Sequence, residues 1–282
     1  VVMRVLIGAD GRLNDEKLIA RLRRQAAGFL GFVRSLPPAP SIDRTGVCSW
    51  SLQPASPSEL LERLSGTGVR ALQLHLDPLR ENPATWGETA RVCAQRGIRL
   101  LSGMMTTVGE DYTTLDTIKV TGGVVPDATW DENWRNFQAN ARIAVDLGLK
   151  LVTLHAGFLP HEESDPSFAK LVDRIARTAD LFAGLGLDIA FETGQEDAPT
   201  LRHFLLKLNR ANVGVNFDPA NMILYGSGDG IDAIRMLGRH IRHVLHHLEA
   251  ADDVELLALR RQVFHHADAV VDGEGLPFRM AS

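Results

Sequence analysis

Short aliphatic runs alternate along the chain with amphipathic segments. The runs are nearly continuous in apolar residues, which is typical of strands buried on both faces of a parallel sheet. The segments between them have apolar residues at helical spacing, and several end just before a glycine. We therefore predict a parallel sheet covered by helices. The predicted strands are Arg4–Ile7, Gly46–Trp50, Ala71–His75, Arg99–Gly103, Leu149–His155, Asp188–Glu192, Val213–Asp218 and Ile241–His246. The predicted helices are Pro57–Ser65, Trp86–Gln95, Trp130–Leu147, Pro166–Leu185, Ala198–Asn209 and Gly230–His240.

The polar residues that end these strands distinguish between two α/β folds. His75, His155, Glu192 and Asp218 end four different strands. Functional groups at the ends of many strands are typical of a TIM-type (β/α) barrel. A doubly wound sheet instead concentrates its site at one switch point, often after a glycine-rich turn, and no G-x-G-x-x-G motif follows a strand in this chain. The predicted fold class is α/β, a TIM-type barrel.

Length and charge limit the domain organisation and the partners. The 282 residues suffice for one barrel of about 250 residues. The proline-containing segment Ser35–Arg44 is predicted to be a linker, so residues 1–45 form an N-terminal βα extension and residues 46–282 the barrel domain. A net charge of −5 gives no basic footprint for nucleic acid. Two cysteines make no disulfide framework, and no leader or long apolar stretch is evident, so we expect a cytoplasmic protein.

Three of the strand-end residues have side chains suited to a metal. Glu192, Asp218 and His246 follow successive strands at intervals of about one βα unit. Such mixed oxygen and nitrogen donors suit Mn²⁺, Mg²⁺, Co²⁺ or Zn²⁺. Each residue also has an ordinary alternative, because a strand-end carboxylate often caps a helix. His246, beside His247, could equally lie in a solvated turn. Their joint occurrence favours a divalent-metal site.

Four segments resemble a known family. They are Gly46–Ser51 (GVCSWS), Val152–Gly157 (VTLHAG), Ile189–Gln195 (IAFETGQ) and Val215–Met222 (VNFDPANM). Together they are similar to the sugar phosphate isomerase/epimerase family of the xylose isomerase-like TIM barrel superfamily, which also includes endonuclease IV. The resemblance covers about residues 46–244.

The resemblance implies a metal-dependent proton transfer on a small sugar or sugar phosphate. Family members bind a divalent metal through Glu, Asp, His and a second Glu, and Glu192 and Asp218 match the first two. His246 is the best match to the third, although the register is off by one, and His243 is the alternative. Glu192 would then be both metal ligand and catalytic base, and a metal-stabilised enediolate would be the intermediate.

Other residues are candidate substrate contacts. The resemblance places His155 at the mouth of the fourth strand and Asn221 at a position that often touches substrate. Trp50 and Gln53 follow the first barrel strand and could form a wall of the pocket. Each has a structural alternative: a buried backbone contact for His155, a turn cap for Asn221 and core packing for Trp50. Glu196, near the Glu192 motif, is either a support for the site or solvated.

The end of the chain departs from the family pattern. Glu249–Arg261 is charged and helix-like, and only the residues DGEG at 272–275 are similar to the family's Gly-x-Gly-Glu turn, so the eighth strand and its glutamate are not identified. A frameshift or an altered reading of the gene near residue 245 is one explanation, which would give a truncated and inactive product. In another hypothesis the extra strand Arg4–Ile7 fills the eighth position and brings Asp10 to the missing ligand.

The sequence leaves several functions open. The first is a divalent-metal-dependent sugar isomerase or epimerase, acting on a small-molecule carbohydrate, without nucleic acid or membrane partners. A dehydratase of an inosose-type substrate and a barrel that has lost catalysis are the alternatives. The acidic charge argues against the endonuclease. The resemblance also implies a homo-oligomer.

Overall fold

A computed structural model describes residues 46–245 of the chain. Within that range, seven parallel strands form one sheet in which every strand pairs with its neighbours in chain order. The strands are β1 (Val47–Cys48), β2 (Ala71–His75), β3 (Arg99–Met104), β4 (Leu151–Leu154), β5 (Asp188–Glu192), β6 (Val213–Phe217) and β7 (Ile241–Val244). This sequential parallel order is that of an α/β TIM-type barrel, as the alternating pattern predicted.

Helices connect the successive strands. They are α1 (Ser49–Leu52), α2 (Pro57–Ser65), α3 (Asp77–Glu81), α4 (Pro83–Trp86), α5 (Thr89–Gln95), α6 (Leu115–Thr121), α7 (Asp127–Asp146), α8 (Pro166–Ala183), α9 (Ala198–Leu208), α10 (Pro219–Tyr225) and α11 (Gly230–Leu237), and a 3₁₀ turn at Gly238–His240 precedes β7. Several begin at a side-chain cap. The side chains of Ser56, Asp165, Asp197 and Asp229 accept hydrogen bonds from amides in the first turn of α2, α8, α9 and α11.

The core lies between the sheet and the long helices. Phe191 and Phe217 of β5 and β6 are fully buried, as are Phe137 of α7, Phe182 of α8 and Phe204 of α9. Each of these helices turns an apolar stripe toward strands that are themselves buried. The strand ends are thereby held on a packed scaffold, and their common edge, where β2 to β7 finish, is called the mouth below.

The sequence-predicted elements agree with the structure in kind and differ at several ends. Strands Ala71–His75 and Asp188–Glu192 and helix Pro57–Ser65 have the predicted bounds. The prediction of strand Gly46–Trp50 was wrong at its end, because α1 begins at Ser49 directly after β1. Helices α1, α3, α4, α6 and α10 were not predicted.

Some predictions fall on residues outside the described range. These are strand Arg4–Ile7, the ligand candidates Asp10 and His246, and the altered C-terminal ending. Among residues 46–245, no helix is both long and apolar enough to cross a membrane.

Candidate active site

Glu192 ends β5 at the mouth, where amide and imidazole groups surround its carboxylate. The Asn221 side-chain amide donates to Oε1 at 2.8 Å, and that of Asn216 donates to Oε2 at 3.5 Å. His155 Nε2 lies 3.6 Å from Oε1. The Glu192 side chain is only 10% exposed. Strand ends β4, β5 and β6 thus bring together three residues that the sequence singled out: His155, Glu192 and Asn221.

His155 lies directly after β4 and carries a perturbed pKa. Burial by itself would lower the pKa of the imidazole. The charge of Glu192 and the contact with it, helped by the charges of Glu110 and Glu196, outweigh burial and raise the pKa to about 9. The carboxylate of Glu192 thus favours the protonated form of the His155 imidazole.

Glu196 is buried near the same site, and its side chain contacts the backbone two residues before it. Its side chain accepts a hydrogen bond from Gly194 N at 3.3 Å, and the residue is 5% exposed. Burial raises the pKa of this carboxyl above its ordinary value. Of the two alternatives for Glu196, the structure excludes the solvated one.

Three residues that the sequence did not single out also border the site. The Tyr112 hydroxyl donates to Glu110 Oε2 at 3.2 Å, and its ring meets the His155 ring edge-on with centroids 6.3 Å apart. Burial, followed by the charges of Glu192, Asp218 and other carboxylates, raises the pKa of Tyr225. Tyr112 and Tyr225 are the two tyrosines of the chain. No motif marked them, because Tyr112 is placed by the loop after β3 and Tyr225 by the end of helix α10.

Asp218 follows β6 and is fully buried. Its Oδ1 accepts from the backbone amides of Ala220 at 2.8 Å and Asn221 at 3.3 Å, so it caps the start of α10. Thr193 links it to β5, since its hydroxyl accepts from Asp218 N at 2.7 Å. The capping alternative is thus realised at Asp218, and the same arrangement fixes its carboxylate beside the end of β5.

His243 of β7 is held by a neighbouring strand. Its Nδ1 lies 2.7 Å from Asn216 Oδ1 on β6. Burial lowers the pKa of His243 to about 4, although the charge of Glu192 opposes this. Leu245 continues the strand pairing, donating its amide to Phe217 O at 2.8 Å. Leu245, directly after β7, is therefore the described residue beside this strand that lies nearest the level of Asp218.

Sequence comparison identifies the family of this barrel. The sequence profile of the xylose isomerase-like TIM barrel family matches residues 61–280. The chain belongs to this family. No curated protein matches the chain.

Solved structures with a similar fold come from several kinds of protein. A xylose isomerase domain protein from Planctomyces limnophilus is 33% identical over 65% of this chain and 65% of that protein, with a TM-score of 0.60. This chain therefore covers less than two thirds of that relative. D-Allulose 3-epimerase from Methylomonas sp., in complex with D-allulose, is 17% identical over 77% of this chain and 80% of that one, with a TM-score of 0.55. The IOLI protein, whose structure holds a zinc atom, is 16% identical over 72% of each chain, with a TM-score of 0.52.

Two carboxylates lie at neighbouring strand ends in the mouth of this xylose isomerase-like barrel. Glu192 and Asp218 end neighbouring strands, and together with Glu196 and Glu110 their charges act on Tyr225. Two carboxylates in such a setting fit a divalent cation. Within residues 46–245, no group of three or more His, Cys, Asp or Glu side chains is arranged to hold a metal ion. The ligand roles of Glu192, Asp218 and His246 therefore stay predictions.

Trp50 and Gln53 lie on the β1 side of the barrel. The Trp50 ring is 49% exposed and meets the His75 ring edge-on at 4.7 Å between centroids. Gln53 ends α1 in the left-handed backbone region, with φ at 46°, and its carbonyl accepts from Arg63 at 3.2 Å. The role of Trp50 and Gln53 as a pocket wall stays a prediction.

Proposed function

We propose that this chain is a divalent-metal-dependent isomerase or epimerase of a small sugar or sugar phosphate. The observation that carries the proposal is the Glu192 carboxylate, to which Asn221 donates at 2.8 Å and which lies 3.6 Å from the His155 imidazole. A positioned carboxylate next to a cationic donor is what proton transfer beside a carbonyl group requires. Family membership and a sugar epimerase among the similar folds support the substrate class.

The proposed reaction begins with Glu192 as the base. Glu192 removes the proton from the hydroxyl-bearing carbon next to the ketose carbonyl, and the C–H electron pair moves to give an enediolate. His155 donates a hydrogen bond to the oxygen on which negative charge grows. Glu192 then returns the proton to the neighbouring carbon, while the hydroxyl proton moves from its oxygen to the former carbonyl oxygen. The two transfers together complete an isomerisation. Epimerisation requires delivery of the proton to the opposite face of the same carbon, and hence a second acid.

The metal would add to this charge stabilisation. Glu192 and Asp218 would hold it, with His246 as the proposed third ligand. It supplies Lewis-acid stabilisation of the developing oxygen charge. The zinc atom in the IOLI structure is in line with a metal in this fold, although that protein is only 16% identical to this one.

A barrel that lacks catalysis is the second candidate. Leu245 favours it, because an aliphatic residue follows β7 directly, near the level of Asp218. A metal ligand at that point of β7 would require a residue other than leucine.

Proton exchange and metal content together test the two candidates. The full chain, loaded with Mn²⁺ and dialysed, is analysed for bound metal and incubated in D₂O with a panel of ketoses and ketose phosphates. We expect stoichiometric metal and deuterium at the carbon next to a ketose carbonyl, detected by NMR. Glu192→Gln and Asp218→Asn should lose metal and exchange, whereas Glu132→Gln, an exposed residue of α7, should keep both.

Loss of water without exchange into the ketose would indicate a dehydratase. Absence of both metal and exchange would favour the non-catalytic barrel.

A further inference from the structure

Three polar side chains lie at one level across β5, β6 and β7. Glu192 pairs with Asn216, and Asn216 pairs with His243 in the parallel register. Directly paired residues of neighbouring strands project from the same face of a sheet. Glu192, Asn216 and His243 therefore form a row of polar side chains across the mouth.

The hydrogen-bonding capacity of each group determines which atoms donate and which accept along this row. An ionised carboxylate only accepts hydrogen bonds, so the Asn216 amide must turn its NH₂ toward Glu192, where Nδ2 lies 3.5 Å from Oε2. The amide oxygen then faces His243, with 2.7 Å between Oδ1 and Nδ1. Because that oxygen only accepts, His243 Nδ1 must carry the hydrogen.

We propose that His243 and Asn216 are positioning residues for Glu192. His243 locks the Asn216 amide in one orientation, and the locked amide presents its NH₂ to Oε2. The Asn221 amide holds Oε1 at 2.8 Å, so the carboxylate is fixed at both oxygens. The inference rests on the proposed function, in which Glu192 is the base. It also gives β7 a role at this site through His243, although the side chain of Leu245 cannot bind a metal.

The tautomer of His243 tests the row without requiring activity. Two-dimensional ¹⁵N–¹H NMR of the full chain, labelled at histidine, distinguishes Nδ1–H from Nε2–H rings, and His243→Gln assigns the signal. We expect an Nδ1–H ring at pH 7, converting to the Nε2–H form in Asn216→Leu. An Nε2–H ring in the unsubstituted chain overturns the proposal, and so does a tautomer that Asn216→Leu leaves unchanged.

Kinetics then test the positioning role with the ketose that exchanges. We expect Asn216→Leu and His243→Leu each to lower kcat about tenfold with little change in KM. The double variant should be no slower than either single variant, and His243→Gln, which retains an N–H donor, should recover part of kcat. Multiplying losses in the double variant would overturn the proposal. If no ketose exchanges, the proposed function fails, while the tautomer measurement still decides whether the row exists.

Discussion

The side-chain amide of Asn221 donates to Glu192 Oε1 at 2.8 Å and lies 3.2 Å from the Thr193 carbonyl. This contact joins the first helix after β6 to the end of β5. The backbone amide of Asn221 also donates to Asp218 at 3.3 Å. One residue thus links both carboxylates of the candidate site, and its side chain points toward the proposed base.

Replacing Asn221 with alanine should slow proton exchange more than it weakens substrate binding. Glu192 Oε1 would lose its shortest donor, so the carboxylate would spend less time in the productive orientation. We expect kcat to fall by about 10- to 100-fold with KM changed only a few-fold. The measurement is ketose exchange in D₂O, with Asn136→Ala on α7 as the control. A large rise in KM at unchanged kcat would instead make Asn221 a simple binding residue.

The pattern of the sequence predicted most strands because burial on both faces requires nearly unbroken apolar runs. Ala71–His75 and Asp188–Glu192 were predicted at the correct bounds for this reason. The helices Asp77–Glu81 and Pro219–Tyr225 were missed. Both have a proline in the first turn and are too short for a clear helical period, so the local pattern could not separate them from loops.

The candidate site was predictable to the extent that it lies at strand ends. The positions of Glu192, Asp218 and His155 follow directly from the parallel strand order. The contacts of Tyr112 with Glu110 and of His243 with Asn216 depend on a loop path and on strand register, which one sequence does not determine. The ligand role of His246 stays a prediction.

Asp77 should be a major contributor to stability. Its buried carboxylate accepts from Thr106 N at 2.9 Å, Asn140 Nδ2 at 2.8 Å and the Arg80 guanidinium, and it lies 3.0 Å from His75 Nε2. Burial would raise its pKa, but these hydrogen bonds hold the pKa far below the usual range. We expect Asp77→Ala to lower the free energy of unfolding by about 3–5 kcal/mol, because Arg80 and the other donors lose their partner.

Urea denaturation measures the effect of Asp77→Ala. The matched control is Asp131→Ala on the exposed face of α7, which should change the free energy of unfolding by less than about 0.5 kcal/mol. Equal effects of the two substitutions would show that the hydrogen bonds around Asp77 contribute little.

His243 should make the fold sensitive to mild acid. Its folded-state pKa of about 4 lies below the ordinary value of 6.5. Between these two pH values, His243 is protonated in the unfolded chain and neutral in the folded chain. The contribution of His243 to the free energy of unfolding is therefore fully present above pH 6.5 and is lost as the pH falls toward 4. We expect the unfolding free energy of the metal-free chain to drop over this range more than that of His243→Gln. Parallel curves for the two proteins between pH 7 and 4 would contradict the prediction.

Two glycines with similar positive φ angles separate steric from conformational effects. Gly123 has φ at 67° and Gly148 has φ at 71°. A Cβ at Gly123 would lie 2.1 Å from Gly157 N, whereas a Cβ at Gly148 would meet no atom within 4 Å. Gly148→Ala should therefore lower the free energy of unfolding by about 1 kcal/mol, from backbone strain alone. Gly123→Ala should add an overpacking cost and reach roughly 3 kcal/mol.

The same substitution at Gly123 should disturb the candidate site. Val124 N donates to Ala156 O at 3.1 Å, so a shift of this contact moves the backbone next to His155. We expect Gly123→Ala to lower ketose exchange as well as stability, while Gly148→Ala leaves exchange unchanged. Urea denaturation and exchange in D₂O on the two variants check both parts. Similar stability losses at the two glycines would mean that the chain relaxes around the new methyl group, and the close approach would then not constrain His155.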